Sequence, residues 1–192
     1  MENRNMERIK VGLCSLVIAL IFSGCATTGG NTPQAKRQSV IDMKNTTLSD
    51  LYNERPGAKA KIAAAPGYAV FSNFDISLFL ISGGAGHGVV TRKGGKSVFM
   101  KMGQLGVGLG LGVTDFRAVF IFHDKVTLNK FINEGWEFGV NADAAAKAGD
   151  KGVSIGGEVV LDGITIYQLT ESGLALRATV RGTKYWKDDD LN

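Results

Sequence analysis

The sequence predicts an α+β, β-rich fold: a curved antiparallel sheet or barrel-like β core with short N-terminal helices packed on it. Three observations carry that expectation. Glycine is abundant, 26 of 192 residues against 3 prolines, which is twice the usual share of about 7%. With 44% hydrophobic residues, the chain can still bury a core, so the glycines read as strand and turn devices rather than as disorder. Second, Gly106, Gly108, Gly110 and Gly112 alternate with Val107, Leu109, Leu111 and Val113, which is the period of a strand with one bare face. Each such glycine costs roughly 0.5–1 kcal/mol relative to alanine, so a neighbour is expected to press on that face: a crossing strand, an aromatic ring or an apolar ligand. Third, short apolar runs separated by glycine turns fill most of the chain after residue 67.

Taken in order, Thr32-Pro33 is a helix start, a capping residue with proline in the first turn. A helix from Gln34 to about Asn53 follows, with Val40, Ile41, Thr47, Leu48, Leu51 and Tyr52 as its narrow apolar stripe, the pattern of a surface helix packed on a domain. A second, short helix spans Pro56 to Ala65. Strands are expected over Tyr68–Ser72, Ile76–Ile81, Val89–Arg92, Ser97–Met102 and Arg117–Phe122. Gly83 to Gly88 reads as a glycine loop, and Lys93-Gly94-Gly95-Lys96 as a hairpin turn. Asp124 can cap a helix over Lys125–Asn133, with Leu128, Phe131 and Ile132 inward and Gly135 as its stop. Trp136–Val140, Val153–Gly156, Ile164–Leu169 and Leu174–Arg181 complete the strands, before a polar tail, Lys187-Asp188-Asp189-Asp190.

The first residues are an address. Arg4, Arg8 and Lys10 precede an apolar run from Val11 to Phe22, too short for a bilayer that needs about 20 residues. It ends in Phe22-Ser23-Gly24-Cys25, which resembles a bacterial lipobox. That resemblance implies a signal peptide over 1–24, acylation of Cys25, a tether over 25–33 and a single domain over 34–192. It also implies a lipid-anchored envelope protein, on the outer membrane and facing the periplasm. The alternative is an ordinary signal peptide cut near Ala26. With Cys14 lost and Cys25 acylated, no thiol remains for a disulfide, a metal or catalysis. Removal of residues 1–24 takes three basic and two acidic residues, lowering the net charge from +4 to +3. A charge of that size favours an anionic membrane surface and does not argue for nucleic acid.

No motif points to catalysis. Gly95-Lys96-Ser97 imitates the end of a P-loop, yet Val90 stands where its first glycine belongs. His87 and His123 are the only histidines and lack metal-ligand spacing, so no metal or cofactor is expected. Asp188-Asp189-Asp190 reads as solvated charge, and no nucleophile elbow occurs. Lys59 and Lys61 on the second helix, with Arg92, Lys93 and Lys96 at the hairpin, are candidates for lipid phosphates, each cation near a charged surface contributing about 1 kcal/mol. Ordinary solvated charge is the other reading.

The order of features from about Leu51 to Asn192 resembles the SYLF lipid-binding domain family. The carriers are Ala64-Ala65-Pro66-Gly67-Tyr68-Ala69-Val70-Phe71, then Gly83-Gly84-Ala85-Gly86-His87-Gly88-Val89-Val90, then Gly106 to Gly112 with Asp115. Phe131, Gly139-Val140-Asn141-Ala142-Asp143-Ala144 and Ser172-Gly173-Leu174-Ala175 through Gly182 follow. The resemblance implies a non-catalytic, lipid-binding envelope protein, with Lys59, Lys61, Arg92, Lys93 and Lys96 toward phospholipid head groups. The glycine strand would then admit an acyl chain or a neighbouring strand. Actin, a partner of eukaryotic members, is not expected for an exported lipoprotein. The competing expectation is an envelope structural or protein-interaction lipoprotein with no lipid beyond its own anchor.

Overall fold

The computed structural model describes residue 30 and residues 32–138, 153–155, 158–161, 163–170, 173–174 and 182–192, with backbone alone for 78–81, 107–114, 137–138, 153–155, 159, 161, 170 and 173–174. Helix α1 (Pro33–Glu54) begins as expected: the Thr32 side chain accepts from the Ala35 N–H at 3.2 Å, and proline occupies the first turn. At 22 residues it is long rather than short. Helix α2 (Gly57–Ala64) follows at once.

Two strands dominate the fold. β1 (Gly67–Arg92) and β2 (Val98–Phe122) run antiparallel from Gly67↔Phe122 to Val90↔Val98, joined by the expected turn at Lys93–Lys96. The separate strands read from the sequence are therefore two continuous ones, and Leu105–Val113 is strand as predicted. The expected loop at Gly83–Gly88 is a correction, because those residues pair with Leu105–Met100.

The reason lies in how β1 bends. The Lys93 N–H donates to the Pro66 carbonyl at 2.9 Å, so the two ends of the strand meet. A Cβ on Gly84 would stand 2.7 Å from the Phe74 carbonyl oxygen. On Gly86 it would strike the Ser72 carbonyl, and on Gly88 the Phe71 ring and the Val70 carbonyl. The strand thus doubles back face to face, and its two halves approach more closely than any side chain permits. A register shift between Phe79 and Ile81 switches the inward parity. Phe71, Asn73 and Asp75 face in before the shift, and Ser82, Gly88 and Val90 after it.

One sheet continues from this ribbon. Besides β1, β2 pairs with β6 (Ile164–Thr170) over Arg117–Phe122 and with β8 (Gly182–Lys187) over Met100–Leu105. β3 (Trp136–Phe138) extends β8, β5 (Glu158–Leu161) and β4 (Val153–Ile155) extend β6, and β7 (Gly173–Leu174) also pairs with β6. Helix α3 (Lys125–Glu134) meets every local expectation. Asp124 caps the Thr127 N–H at 2.8 Å, Leu128, Phe131 and Ile132 are buried, and Gly135 ends it at φ +72°. The fold is therefore α+β and β-rich, with a curved antiparallel sheet.

The main core sits inside the doubled ribbon. The Phe71 ring lies 4.7 Å from that of Tyr185 and 5.7 Å from that of Phe120, both edge-on, and α3 adds Phe131. Such ring pairs contribute about 0.5–1.5 kcal/mol each beyond area burial. On the outer face, Leu48 and Leu51 of α1 and Ala58 of α2 cover Val70, Val119, Ile121 and Tyr167.

The C-terminal segment is a second correction. Asp188 is buried, with its carboxylate 2.9 Å from Lys101 Nζ, and Asp190 holds the same ammonium at 3.0 Å. Those hydrogen bonds outweigh burial and raise the Lys101 pKa. The Asn192 side chain accepts from the Phe99 N–H and donates to its carbonyl, and Arg37 Nε donates to the Leu191 carbonyl at 2.7 Å. The expectation of solvated charge holds at exposed Asp189 and Asp190 and fails at Asp188, where β2 supplies a cation in reach.

Because the neighbours at Gly86 and Gly88 include backbone carbonyls, Gly86→Ala and Gly88→Ala are each expected to destabilise by about 1–3 kcal/mol. Gly57→Ala, with nothing within 4 Å of the added carbon, is expected to be neutral or stabilising by up to about 1 kcal/mol. Urea denaturation of the three variants measures both.

Candidate functional site

The predicted cations sit on α2 and the adjoining hairpin. Lys93 Nζ donates to the Ala63 carbonyl at 3.3 Å, bringing the turn against the C-terminal end of α2. Lys59 is exposed one turn before Ala63, and Lys96 is exposed beyond the turn. Arg92 Nε donates to the Lys96 carbonyl at 3.4 Å, bracing the hairpin. Lys59, Arg92, Lys93 and Lys96 therefore share one end of the ribbon.

Lys61 points elsewhere. Its ammonium pairs with Glu158 Oε1 at 2.5 Å and stands 5.9 Å from the Tyr167 ring centre, while Tyr167 Oη donates to Glu158 Oε2 at 2.9 Å. The bond to Glu158 raises the Lys61 pKa. For Glu158, burial acts to raise the pKa, but hydrogen bonds from Lys61 and Tyr167 prevail and hold it below the ordinary carboxylate range. Lys61 is thus a clamp between α2 and β5.

The glycine strand lies far from the cations. From Val98 at the hairpin to Leu105 is seven residues along β2, roughly 23 Å at about 3.3 Å per residue, and Gly106, Gly108, Gly110 and Gly112 lie beyond. Gly106, Gly110 and Gly112 pair with Ser82, Phe79 and Ser77 of β1, and Gly108 falls at the register shift; what packs on their faces lies outside the described residues. So do Cys25 and nearly all of its tether.

Around that strand the ribbon shows an inverted pattern that sequence reading missed. Asn73 and Asp75 are each 1% exposed, whereas Phe74 and Ile76 between and after them are each 43% exposed. On β2, Gln104 is 5% exposed and Leu105 75%. Polar side chains face in and apolar ones face out. No Asp, Glu, Lys or Arg occurs from Ile76 to Thr91 or from Met102 to Thr114; the charges that flank this face are exposed Asp115, paired with Phe74, and exposed Lys184, paired with Gly103. Trp186, 40% exposed, lies against Gly103 on the same face, where a Cβ would stand 3.2 Å from its ring. Apolar-out and polar-in alternation is the habit of strands that meet hydrocarbon, and a half-exposed tryptophan at the border suits a membrane interface.

His123 Nε2 meets Thr165 Oγ1 at 2.8 Å, and the His123 backbone N–H donates to the Gly163 carbonyl at 2.8 Å. Burial lowers the His87 pKa, partly offset by Asp115 and Asp188. Among the described residues no three His, Cys, Asp or Glu side chains converge on a metal position, and no helix is long and apolar enough to cross a membrane.

The Glu158 clamp makes a pH prediction. A carboxylate whose pKa is lowered by folding leaves the unfolded chain binding more protons, so stability rises with pH through that window. The contribution is complete above the unfolded value near 4.5 and is lost as pH falls through the lower folded value. Unfolding midpoints of wild type and Glu158→Gln are expected to converge as pH drops from 6 to about 3.

No protein-family profile matches the chain. It is similar to Beta cell expansion factor A of Aeromonas veronii, with 36% identity over 160 residues. That alignment covers 83% of this chain and 60% of the relative, so the chain spans about three fifths of the length of the protein it resembles.

Proposed function

We propose that this chain is a SYLF-like lipoprotein domain that binds phospholipid bilayers without catalysis, anchored in the bacterial envelope through acylated Cys25. One observation carries the reading: the ribbon turns Phe74, Ile76 and Leu105 outward while Asn73, Asp75 and Gln104 are buried. Burying a leucine-sized side chain contributes about 1.5–3 kcal/mol, so a few of them supply a usable membrane affinity once an anchor holds the domain close. The order of glycine motifs supports the family reading. The similarity to the Aeromonas protein is compatible with it, and that protein's name specifies no lipid.

The cationic end supports a second reading. Lys59, Arg92, Lys93 and Lys96 gather at the hairpin end of the ribbon, with Leu105 seven residues along β2 from Val98. That end suits an acidic partner protein, as the envelope-interaction alternative requires. We assign bilayer contact to the apolar face.

Flotation of the Cys25→Ala protein with phosphatidylcholine and phosphatidylglycerol vesicles tests the proposal. Wild-type surface chemistry is expected to bind both. Leu105→Glu is expected to weaken partitioning about tenfold or more, equivalent to about 1.4 kcal/mol, with the near-UV spectrum unchanged. Absence of binding to every vesicle at low salt would reject the lipid reading and leave the cationic end as the functional surface.

A further inference from the structure

The doubled ribbon exposes apolar side chains on two opposite sides. Gly84, Gly86 and Gly88 face residues 70–75, since a Cβ on each would meet the Phe74, Ser72 and Val70 carbonyls in turn. Phe71, Asn73 and Asp75 are buried at that contact, so exposed Phe74 and Ile76 point out of the first layer. In the second layer the same alternation turns Gly83 and Ala85 outward. Their partners Leu105 and Gly103 share that face, with Leu105 exposed and the Trp186 ring lying over Gly103. Phe74 and Leu105 therefore project in opposite directions, with two strand layers between them.

A flat bilayer laid on either side leaves the other apolar side in water, whereas an end-on approach covers both. The sequence of the bend suits that approach. Residues 76–83 of β1 read Ile-Ser-Leu-Phe-Leu-Ile-Ser-Gly, and residues 106–114 of β2 read Gly-Val-Gly-Leu-Gly-Leu-Gly-Val-Thr, without one charge. Charge resumes at about one level on both faces, at Asp115 beside Phe74 and at Lys184 beside Gly103. A charge-free end bounded by charged residues matches hydrocarbon bounded by head groups.

The dimensions agree. Phe74 and Gly84 touch across the fold, so the bend extends at most five residues beyond them, about 16 Å at about 3.3 Å per residue. A hydrocarbon core is about 30 Å thick, so the bend ends inside the leaflet it enters. Among the described residues, 106–116 of β2 pair with β1 alone, and open strand edges are costly in hydrocarbon, which favours shallow entry. The tether has the reach: residues 25–32 can extend about 26 Å. The helix they lead into meets Leu191 beside Phe99, at most about 20 Å along β2 from Leu105.

We propose that the bend, residues 76–83 with 106–114, enters one leaflet end-on, with hydrocarbon against Phe74 and Ile76 on one side and Leu105 on the other, and with Trp186, Asp115 and Lys184 at the interface. This entry depends on the bilayer contact proposed above and adds the element that enters and its direction.

Site-directed labels distinguish the two. With Cys14→Ala and Cys25→Ala the chain has no cysteine, and Phe74→Cys, Leu105→Cys, Leu109→Cys and Lys96→Cys each receive one NBD dye. On phosphatidylcholine and phosphatidylglycerol vesicles carrying doxyl lipids, the dyes at 74, 105 and 109 are all expected to shift to the blue and be quenched, while that at 96 stays in water. Phe74→Glu is expected to weaken flotation about tenfold, as Leu105→Glu does on the opposite face, with the near-UV spectrum unchanged. Quenching at only one of 74 and 105, a dye at 109 left in water, or full binding by Phe74→Glu would overturn end-on entry and leave contact through a single face standing. Absence of binding to every vesicle would overturn both.

Discussion

The whole architecture depends on one steric constraint, the contact of β1 with itself. At Gly84, Gly86 and Gly88 the first half of the strand passes so close that its carbonyls occupy the space a Cβ would need. Only a hydrogen side chain permits this approach, and the entropy lost by ordering glycine in a strand is offset by what the approach allows. It brings Phe71 within reach of Phe120, Phe131 and Tyr185, so that one strand forms two walls of the same core. The turn at Lys93 locks the open end through Pro66. The register shift at Phe79/Ile81 makes the arrangement possible by letting odd residues face in on one half and even residues on the other.

This constraint also explains why the ribbon has two characters. Toward the hairpin, both faces are covered: aromatic residues and α3 fill the inside, and α1 lies over Val70 and Val89 outside. At Asn73–Ile76 and Gln104–Leu105 the buried side chains are polar, and Phe74, Ile76 and Leu105 point outward. A water-soluble strand normally has the opposite polarity. Under the proposed bilayer contact, the energetic cost of this inversion in water becomes a gain against hydrocarbon.

What could be read from the sequence was what is decided locally. Asp124, Gly135 and the Leu128/Phe131/Ile132 spacing define α3 within ten residues, and the alternating glycines of β2 declare a strand. What could not be read was decided by register and partners. The shift near Leu80 breaks the two-residue period, so two long strands resemble several short ones. Asn73-Phe74-Asp75-Ile76 alternates plainly, yet alternation does not say which face is inside. β8 was missed because Lys184, Trp186 and Lys187 interrupt the apolar pattern of Gly182–Lys187, although Thr183 and Tyr185 are buried. The turn at Gly163, φ +78°, carries a readable Asp-Gly signal that would have revealed β5. In the candidate surface the cations were legible as residues, but their distance from the glycine strand follows from the ribbon alone.

The bond from Arg37 to the Leu191 carbonyl joins positions 154 apart, and Leu191 completes the cluster of Val40, Val89 and Phe99. A polypeptide that crosses a membrane N-terminus first cannot close that cluster until its last strand has emerged. Long-range closure of this kind is slow, so if the chain is exported as proposed, the ribbon waits with its apolar side chains unsheltered. An acylated tether would keep the waiting chain beside a lipid surface, the one solvent in which those side chains are at no disadvantage.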